Sequence, residues 1–280
     1  VLVGNIECYS DDFLLDFFKD KPDVIIGGPP CQGFSIANKR AGDPTDPRNA
    51  LFREFIRLGR IFEPSIMVME NVPNLIKTTT YNKELVINII SEELKKIHYF
   101  VYYTILNAAD YGVPQIRKRL IVIAKQKQLN QPFPIPTHIN KNGENDLFNP
   151  YLSPTPTLWD AISDLPDIEA RQGNEEMEYV GDAQNSLQRY LRGHSKKVYN
   201  HVAMKHSKRL VERFASMSCG DSITDVPDHL RPIKRNGNGV FSEKLYDQNN
   251  RRLHPDKPCH TIAASFYANF VHPYKNRHFT

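Results

Sequence analysis

A cysteine lies on a loop whose composition favours rigidity. Cys31 falls within the run GGPPCQGFS at 27–35, directly after the apolar stretch 24–26, which predicts a strand. The glycines allow the backbone to leave the strand in conformations closed to other residues, and the prolines fix φ. A thiolate held on such a loop could attack an electrophilic carbon. The alternative is a buried cysteine that behaves as a small hydrophobic residue.

A carboxylate and two arginines also lie at strand ends. Glu70 follows the apolar run 66–69, and Arg117 and Arg119 precede the apolar run 120–124. Burial would keep the Glu70 carboxyl protonated, so that it could donate a proton. Alternation places both arginines on one face of an extended segment, where their guanidinium groups could bind phosphate. The structural alternatives are a carboxylate bound by backbone N–H groups and a basic strand end paired with surface acids.

The elements that must position these residues alternate along the chain. Apolar periodicity predicts helices at 11–19, 49–62 and 82–97, between strands at 24–26, 66–69, 101–106 and 120–124. This order predicts an α/β fold with helices on both faces of one sheet. Ligand crevices of such sheets lie at the carboxyl ends of the strands, where Cys31 and Glu70 are predicted to lie.

The composition and the hydrophobic periodicity of the sequence change beyond Lys127. Prolines cluster between 132 and 156, and periodicity fades apart from one helical pattern at 206–217. We therefore predict one domain at 1–130, a smaller, loop-rich domain at 131–262, and a segment at 263–280 that returns to the first domain.

Composition limits the classes of protein. The 280 residues carry a net charge of +4, with no apolar run of about 18 residues and no signal-peptide pattern. Four cysteines without paired spacing argue against a disulfide framework, so we expect a cytoplasmic protein, nucleoid-associated if bacterial. Acids dominate 163–182 and bases 189–213, which indicates either a phosphate-facing patch or a solvated face. We expect no metal site, because the candidate ligands match no compact motif: His194, His201, His206 and Cys219.

Four sequence blocks together resemble the DNA (cytosine-C5) methyltransferase family, and they occur in that family's order. They are PPCQ at 29–32, PRNALF at 47–52, Glu70-Asn71-Val72, and QIRKR at 115–119. Residues 251–262 and 277–280 resemble later segments of the same family. The resemblance implies a Rossmann-like mixed sheet of the S-adenosylmethionine-dependent methyltransferase type, with a second, smaller, loop-rich target-recognition domain.

The resemblance also implies a reaction. C5 of cytosine is a poor nucleophile until a thiolate adds at C6, and Cys31 would form that adduct with a flipped-out cytosine in duplex DNA. Glu70 would protonate N3, and Arg117 and Arg119 complete the implied catalytic set. The implied S-adenosylmethionine contacts are Asn5, Ile6, Pro30 and Leu51. The expected DNA contacts are Gln32, Ser35, Arg40, Lys196, Lys197 and Asn236.

The sequence departs from the family pattern in three ways. The Gly-rich cofactor loop with its acidic ribose-binding residue is absent, the later Gly-Asn block is absent, and Asn5 stands where the family usually has Asp. We therefore expect little activity and weak cofactor binding from these residues alone, with a complementary polypeptide supplying the missing motifs. The function expected is that of a restriction-modification or solitary modification enzyme. The alternatives are an RNA cytosine methyltransferase of the same fold and a DNA-binding subunit that is inactive alone.

Overall fold

The computed structural model describes residues 1–30, 51–80, 83–139, 151–234, 239–247, 249–262 and 269–280. The helices are α1 (Asp11–Phe17), α2 (Leu51–Phe62), α3 (Val86–Lys96), α4 (Leu158–Ile162), α5 (Ser186–Arg192) and α6 (Lys208–Ala215). The longer strands are β1 (Val24–Gly27), β2 (Ile66–Asn71) and β3 (Phe100–Asn107), followed after the two-residue β4 (Gln115–Ile116) by β5 (Lys118–Lys125). The later strands are β6 (His138–Ile139), β7 (Ser153–Pro154), β8 (Gly173–Glu178), β9 (Lys197–Val202), β10 (Arg251–Arg252), β11 (Cys259–His260) and β12 (Phe270–Val271).

The chain divides into two compact units. Unit 1 comprises Val1–Asn107 and Lys118–Ile135, and unit 2 comprises Ala108–Arg117 and Pro136–Thr280. This division is based only on which residues pack together, and not on their function. The functional domain limits expected from the sequence, 1–130, 131–262 and 263–280, therefore stay a prediction.

Unit 1 is built on a four-stranded mixed sheet in the order β1-β2-β5-β3. β1 and β2 run parallel, and β5 is antiparallel to both β2 and β3. Parallel neighbours need a crossover connection, and α2 is the helix in the connection from β1 to β2. The α/β class, predicted from the alternation of elements, and the mixed sheet, implied by the family resemblance, are both confirmed.

One face of this sheet is covered by helices α2 and α3. Met67 and Met69 of β2 and Val122 of β5 lie on that face and belong to one core with Phe55 of α2 and Ile90 of α3. The opposite face is more open at its β1 edge, where Ile26 is 74% exposed. The sequence predicted helices on both faces, whereas α2 and α3 both cover the same one.

Helix α3 begins later than the periodicity predicted. Its first residue is Val86 rather than Asn82, because the preceding chain forms a turn in which Thr80 N donates to Glu84 O at 2.8 Å. Lys83 adopts a left-handed φ of 63° there, which is incompatible with a helix. Residues 82–84 are Asn, Lys and Glu, which could equally form the polar side of an amphipathic first turn, so periodicity alone did not mark the boundary.

Unit 2 holds short elements that the sequence did not predict. Helix α4 begins with a capping box in which Thr157 and Asp160 bond each other's backbone N–H groups. Strands β8 and β9 form an antiparallel pair whose connection contains α5. The helical pattern that the sequence shows at 206–217 is observed as helix α6. Elements of five to seven residues are too short for apolar periodicity to identify.

Buried cations tie together the late segments of unit 2. Arg252 is buried, and its guanidinium donates to five oxygen atoms: the carbonyls of Phe214, His272, Pro273 and Lys275 and the Asn276 Oδ1. Burial lowers the pKa of Arg252 despite these contacts. Because so many backbone groups depend on one side chain, β10 and the segment after β12 are fixed against each other.

Two buried histidines in unit 2 should make it sensitive to acid. The pKa of His272 is lowered to about 3, mainly because the side chain is buried and to a lesser extent because Arg277 and Arg252 are close. The pKa of His278 is lowered to about 4, mainly by burial and to a lesser extent by the neighbouring His206. The unfolded chain takes up these protons near pH 6.5, so stability is complete above that pH and falls between pH 6.5 and about 4. We expect the free energy of unfolding to drop by about 2–3 kcal/mol from pH 7.5 to 5.5.

Denaturant unfolding of His272→Asn at both pH values tests this expectation. The Asn oxygen can still accept from the Tyr274 and Lys275 N–H groups that His272 Nδ1 accepts from, but it does not titrate. The variant should lose the part of the pH dependence that His272 contributes, about 1.4 kcal/mol between these two pH values. The exposed His229→Gln serves as the control and should keep the full dependence. An equal loss of stability in all three proteins would contradict the assignment.

Candidate active site

The predicted cysteine loop leaves the sheet beside Glu70. Strands β1 and β2 are paired in parallel with Gly27 opposite Met69, so the residues that follow each of them are neighbours. A Cβ atom at Gly28 would lie 3.5 Å from Glu70 Oε2. The run that contains Cys31 therefore starts in contact distance of this carboxylate, although Cys31 itself lies outside the described residues.

Asn71 holds the start of that loop. Its side chain is 6% exposed, its Nδ2 donates to Pro29 O at 3.0 Å, and its Oδ1 accepts from Val72 N at 2.9 Å. The backbone is thus fixed two residues before Cys31. Sequence analysis gave Asn71 no role. The available signal was a polar residue on the buried face of β2, in alternation with Met67 and Met69.

Glu70 forms an ion pair with Arg119. The Arg119 Nε atom lies 2.6 Å from Glu70 Oε1, and Arg119 Nη1 donates to Lys118 O at 2.8 Å. Both side chains project from the same face of the β2–β5 pair. The Glu70 side chain is 45% exposed, so it is less buried than the sequence predicted. As paired, the carboxylate accepts a hydrogen bond, and it must first take up a proton before it can donate one.

Arg117 lies in unit 2, whereas Glu70 and Arg119 lie in unit 1. Its side chain is half-buried, and its carbonyl accepts from Ala108 N at 3.0 Å. The preceding strand β4 pairs in parallel with β11, and Thr261 Oγ1 donates to Ile116 O at 2.8 Å. The backbone before Arg117 is therefore fixed to the segment 259–261.

The expected cofactor contacts are divided between a turn and a helix start. Asn5 caps the helical turn Ile6–Cys8, where its Oδ1 accepts from Glu7 N at 3.3 Å and its Nδ2 donates to Glu7 Oε2 at 3.0 Å. Leu51 begins α2 and is half-buried, and Pro30 is exposed. Of the four expected residues, Ile6 is the one that lines the nearby cavity.

This cavity in unit 1 has a volume of about 300 Å³ and a mostly apolar lining. The lining residues include Ile6, Tyr9, Leu14, Ile25 and Phe62. Apolar walls fit a flat ring system, and the Glu7 carboxylate, which accepts from Asn5 Nδ2, lies in the same helical turn as Ile6. The residues present are therefore compatible with the adenosyl part of S-adenosylmethionine.

The two expected phosphate contacts in unit 2 differ in their surroundings. Lys197 pairs with Glu176 across the β8–β9 ribbon, and this hydrogen bond raises the pKa of Lys197. Lys196 is exposed, and within the described ranges no carboxylate lies at ion-pairing distance from it. The other expected DNA contacts, Gln32, Ser35, Arg40 and Asn236, lie outside the described residues.

Of the remaining cysteines, Cys259 is a poor candidate for a nucleophile. Cys259 is buried, which raises the pKa of its thiol to about 12 and keeps it protonated at neutral pH. Cys8 and Cys219 are exposed.

Within the part of the chain that the structure covers, no three His, Cys, Asp or Glu side chains converge as metal ligands would. Every helix in the same ranges is too short or too polar to span a bilayer.

The fold and the strand-end residues define an α/β architecture of the methyltransferase type. A crystal structure of a prophage-encoded DNA modification methyltransferase from E. coli has this fold, with a TM-score of 0.68, 24% identity, and coverage of 99% of this chain and 71% of that one. A sequence model described as C-5 cytosine-specific DNA methylase matches residues 4–280. The chain belongs to the C-5 cytosine-specific DNA methylase family.

Curated relatives agree with this family. The type II methyltransferase M.DdeI of Desulfomicrobium norvegicum is 45% identical over 260 residues, which are 92% of this chain and 60% of the relative. M1.HphI of Haemophilus parahaemolyticus is 35% identical, over 92% of this chain and 57% of its own. The chain thus spans somewhat more than half the length of these relatives. The comparisons give no support for the expected complementary polypeptide.

Proposed function

We propose that the protein transfers a methyl group from S-adenosylmethionine to C5 of a flipped-out cytosine in duplex DNA, as a type II restriction-modification methyltransferase. The observation that carries this proposal is the arrangement at the ends of β1 and β2. Asn71 fixes the loop that leads to Cys31, and that loop starts beside the Glu70–Arg119 pair. A nucleophile and a proton donor close together are the minimum that this reaction requires.

The proposed steps assign a role to each residue. The Cys31 thiolate forms a bond to C6 of cytosine, and Glu70 gives a proton to N3, which leaves electron density at C5. S-adenosylmethionine supplies the methyl group that C5 then takes. Transfer of the C5 proton to a solvent base, departure of Cys31 from C6 as a thiolate, and return of the N3 proton to the Glu70 carboxylate restore the aromatic ring. Arg119 orients Glu70 through its Nε atom, and Arg117 would bind phosphate or the polar edge of the base.

Cofactor and DNA would meet different parts of the chain. The cavity that Ile6 lines would take the adenine ring, with Asn5 and Glu7 accepting from its amino group. Pro30 and Leu51 would contact the rest of the cofactor. In unit 2, Lys196 is the better candidate for a DNA phosphate, because Glu176 already neutralises Lys197. Gln32, Ser35, Arg40 and Asn236 remain proposed DNA contacts on sequence alone.

Methyl transfer by the full-length protein tests this proposal. The protein is incubated with isotopically labelled S-adenosylmethionine and either duplex DNA or RNA of the same sequence, and the modified base is identified by mass spectrometry. We expect 5-methylcytosine in the DNA and no labelled RNA. Label on RNA would favour the RNA cytosine methyltransferase alternative, and DNA binding without transfer would favour an inactive subunit.

A further inference from the structure

Helix α5 is anchored in unit 2 by polar side chains from one side. Asn185, Gln188 and Arg192 are spaced three and four residues apart, so they share a side of the helical segment. Asn185 Nδ2 and Gln188 Nε2 donate to Asp160 O at 2.9 and 3.0 Å, and Gln188 is 1% exposed. Arg192 Nε lies 2.6 Å from Asp164 Oδ2, with both side chains largely buried. Satisfied buried contacts of this kind impose one geometry, so the direction of the helix is fixed.

The outward side of α5 and the turn after it are exposed. Tyr190 is 82% exposed and is followed by the exposed Leu191. Gly193 adopts φ 54° and ψ −120°, a backbone conformation that residues other than glycine rarely adopt. A Cβ atom at this position would meet nothing within 4 Å. The glycine therefore serves the shape of an exposed turn rather than close packing. Because the element is held in one geometry, the exposed Tyr190 ring can contact a partner with little further ordering of the chain.

The charge around Tyr190 is positive. Residues 184–211 contain no Asp or Glu, and the nearest acid before them in sequence is Asp182. Arg192 and Lys197 are neutralised by Asp164 and Glu176. By contrast, the exposed Arg189 and Lys196 have no carboxylate at ion-pairing distance among the residues that the structure describes. Unpaired cations beside an exposed aromatic ring complement phosphates and bases.

We propose that residues 189–196, the recognition tip, enter a groove of the target duplex and that Tyr190 discriminates base pairs of the recognition sequence. Arg189 and Lys196 bind phosphates and set the register, and the Tyr190 ring and hydroxyl contact base edges. This inference rests on the proposed DNA methyltransferase function and names a residue that determines its specificity.

The test compares full-length variants on two duplexes. The target of the wild type is first mapped by sequencing the methylated cytosines. DNA affinity is then measured on that target and on duplexes in which each base pair of the target is changed in turn, and the changed duplex that the wild type discriminates most strongly through Tyr190 is used for the comparison. Tyr190→Ala should reduce the ratio of the two affinities by about tenfold, with affinity for the changed duplex and the melting temperature kept. Tyr151→Ala, also fully exposed in unit 2, is the matched control and should keep the ratio.

The phosphate contacts predict a different signature. Arg189→Gln and Lys196→Gln should weaken binding to both duplexes equally, and each should reduce the slope of log affinity against log salt by about one. An unchanged affinity ratio in Tyr190→Ala would overturn the role of Tyr190, and unchanged salt slopes would overturn the placement of the recognition tip. Methyl transfer by the wild type is scored separately, so failure of the proposed function is distinguishable from failure of this inference.

Discussion

Replacement of Cys31 by serine is expected to abolish methyl transfer, by on the order of 10³-fold or more, while affinity for duplex DNA stays close to that of the wild type. Serine occupies similar space, but its hydroxyl is a far weaker nucleophile than a thiolate near neutral pH. The backbone before the loop should be unaffected, since Asn71 binds the carbonyl of Pro29 and not the Cys31 side chain. Single-turnover transfer of labelled methyl groups and DNA affinity are the measurements.

The other cysteines provide the controls for this expectation. Cys8→Ser and Cys219→Ser remove exposed thiols and should leave the transfer rate unchanged. DNA that contains 5-fluorocytosine adds a positive test, because fluorine blocks the final elimination and the enzyme should be trapped covalently. Peptide mapping should place the adduct on Cys31. Retained turnover in Cys31→Ser, or an adduct on another cysteine, would refute the assignment.

The positions of the strand-end residues were predictable because they depend on local sequence. The apolar run before Glu70 predicted a strand at 66–69, and the structure ends β2 at Asn71. The contacts of Glu70 were not predictable. Its pairing with Arg119 depends on the antiparallel register of β2 and β5, whose residues are about 50 positions apart in sequence. The buried bond from Asn71 to Pro29 is non-local in the same way.

The difference between the two units has a similar physical origin. In unit 1, α2 runs for three turns with a buried apolar side, and such a pattern identifies a helix from sequence alone. In unit 2, α5 is held by the polar side chains of Gln188 and Arg192, which in sequence look like solvent-facing residues. Hydropathy therefore missed an element that specific hydrogen bonds and one ion pair stabilise.

Replacement of Glu70 by glutamine is expected to lower the rate constant of methyl transfer by about 10²–10⁴-fold without lowering the melting temperature. The amide oxygen can still accept from Arg119 Nε, but the amide cannot give a full proton to N3 of the base. The Arg119 side chain that loses its charged partner is 25% exposed and still donates to the Lys118 carbonyl, so the replacement leaves no fully buried charge. Single-turnover kinetics at saturating DNA separate this chemical effect from an effect on binding.

The ion pair between Glu70 and Arg119 provides a second test of this prediction. Arg119→Lys loses the planar guanidinium that orients Glu70, so it should slow the same step. The rate of the double variant should fall by less than the two single reductions combined, because the pair acts as a unit. Glu92→Gln removes a comparable exposed partner of Lys95 on α3 and should leave the rate unchanged. Normal turnover in Glu70→Gln together with a lower melting temperature would show that the pair supports the fold. Strictly additive losses would show instead that Arg119 acts on the substrate independently of Glu70.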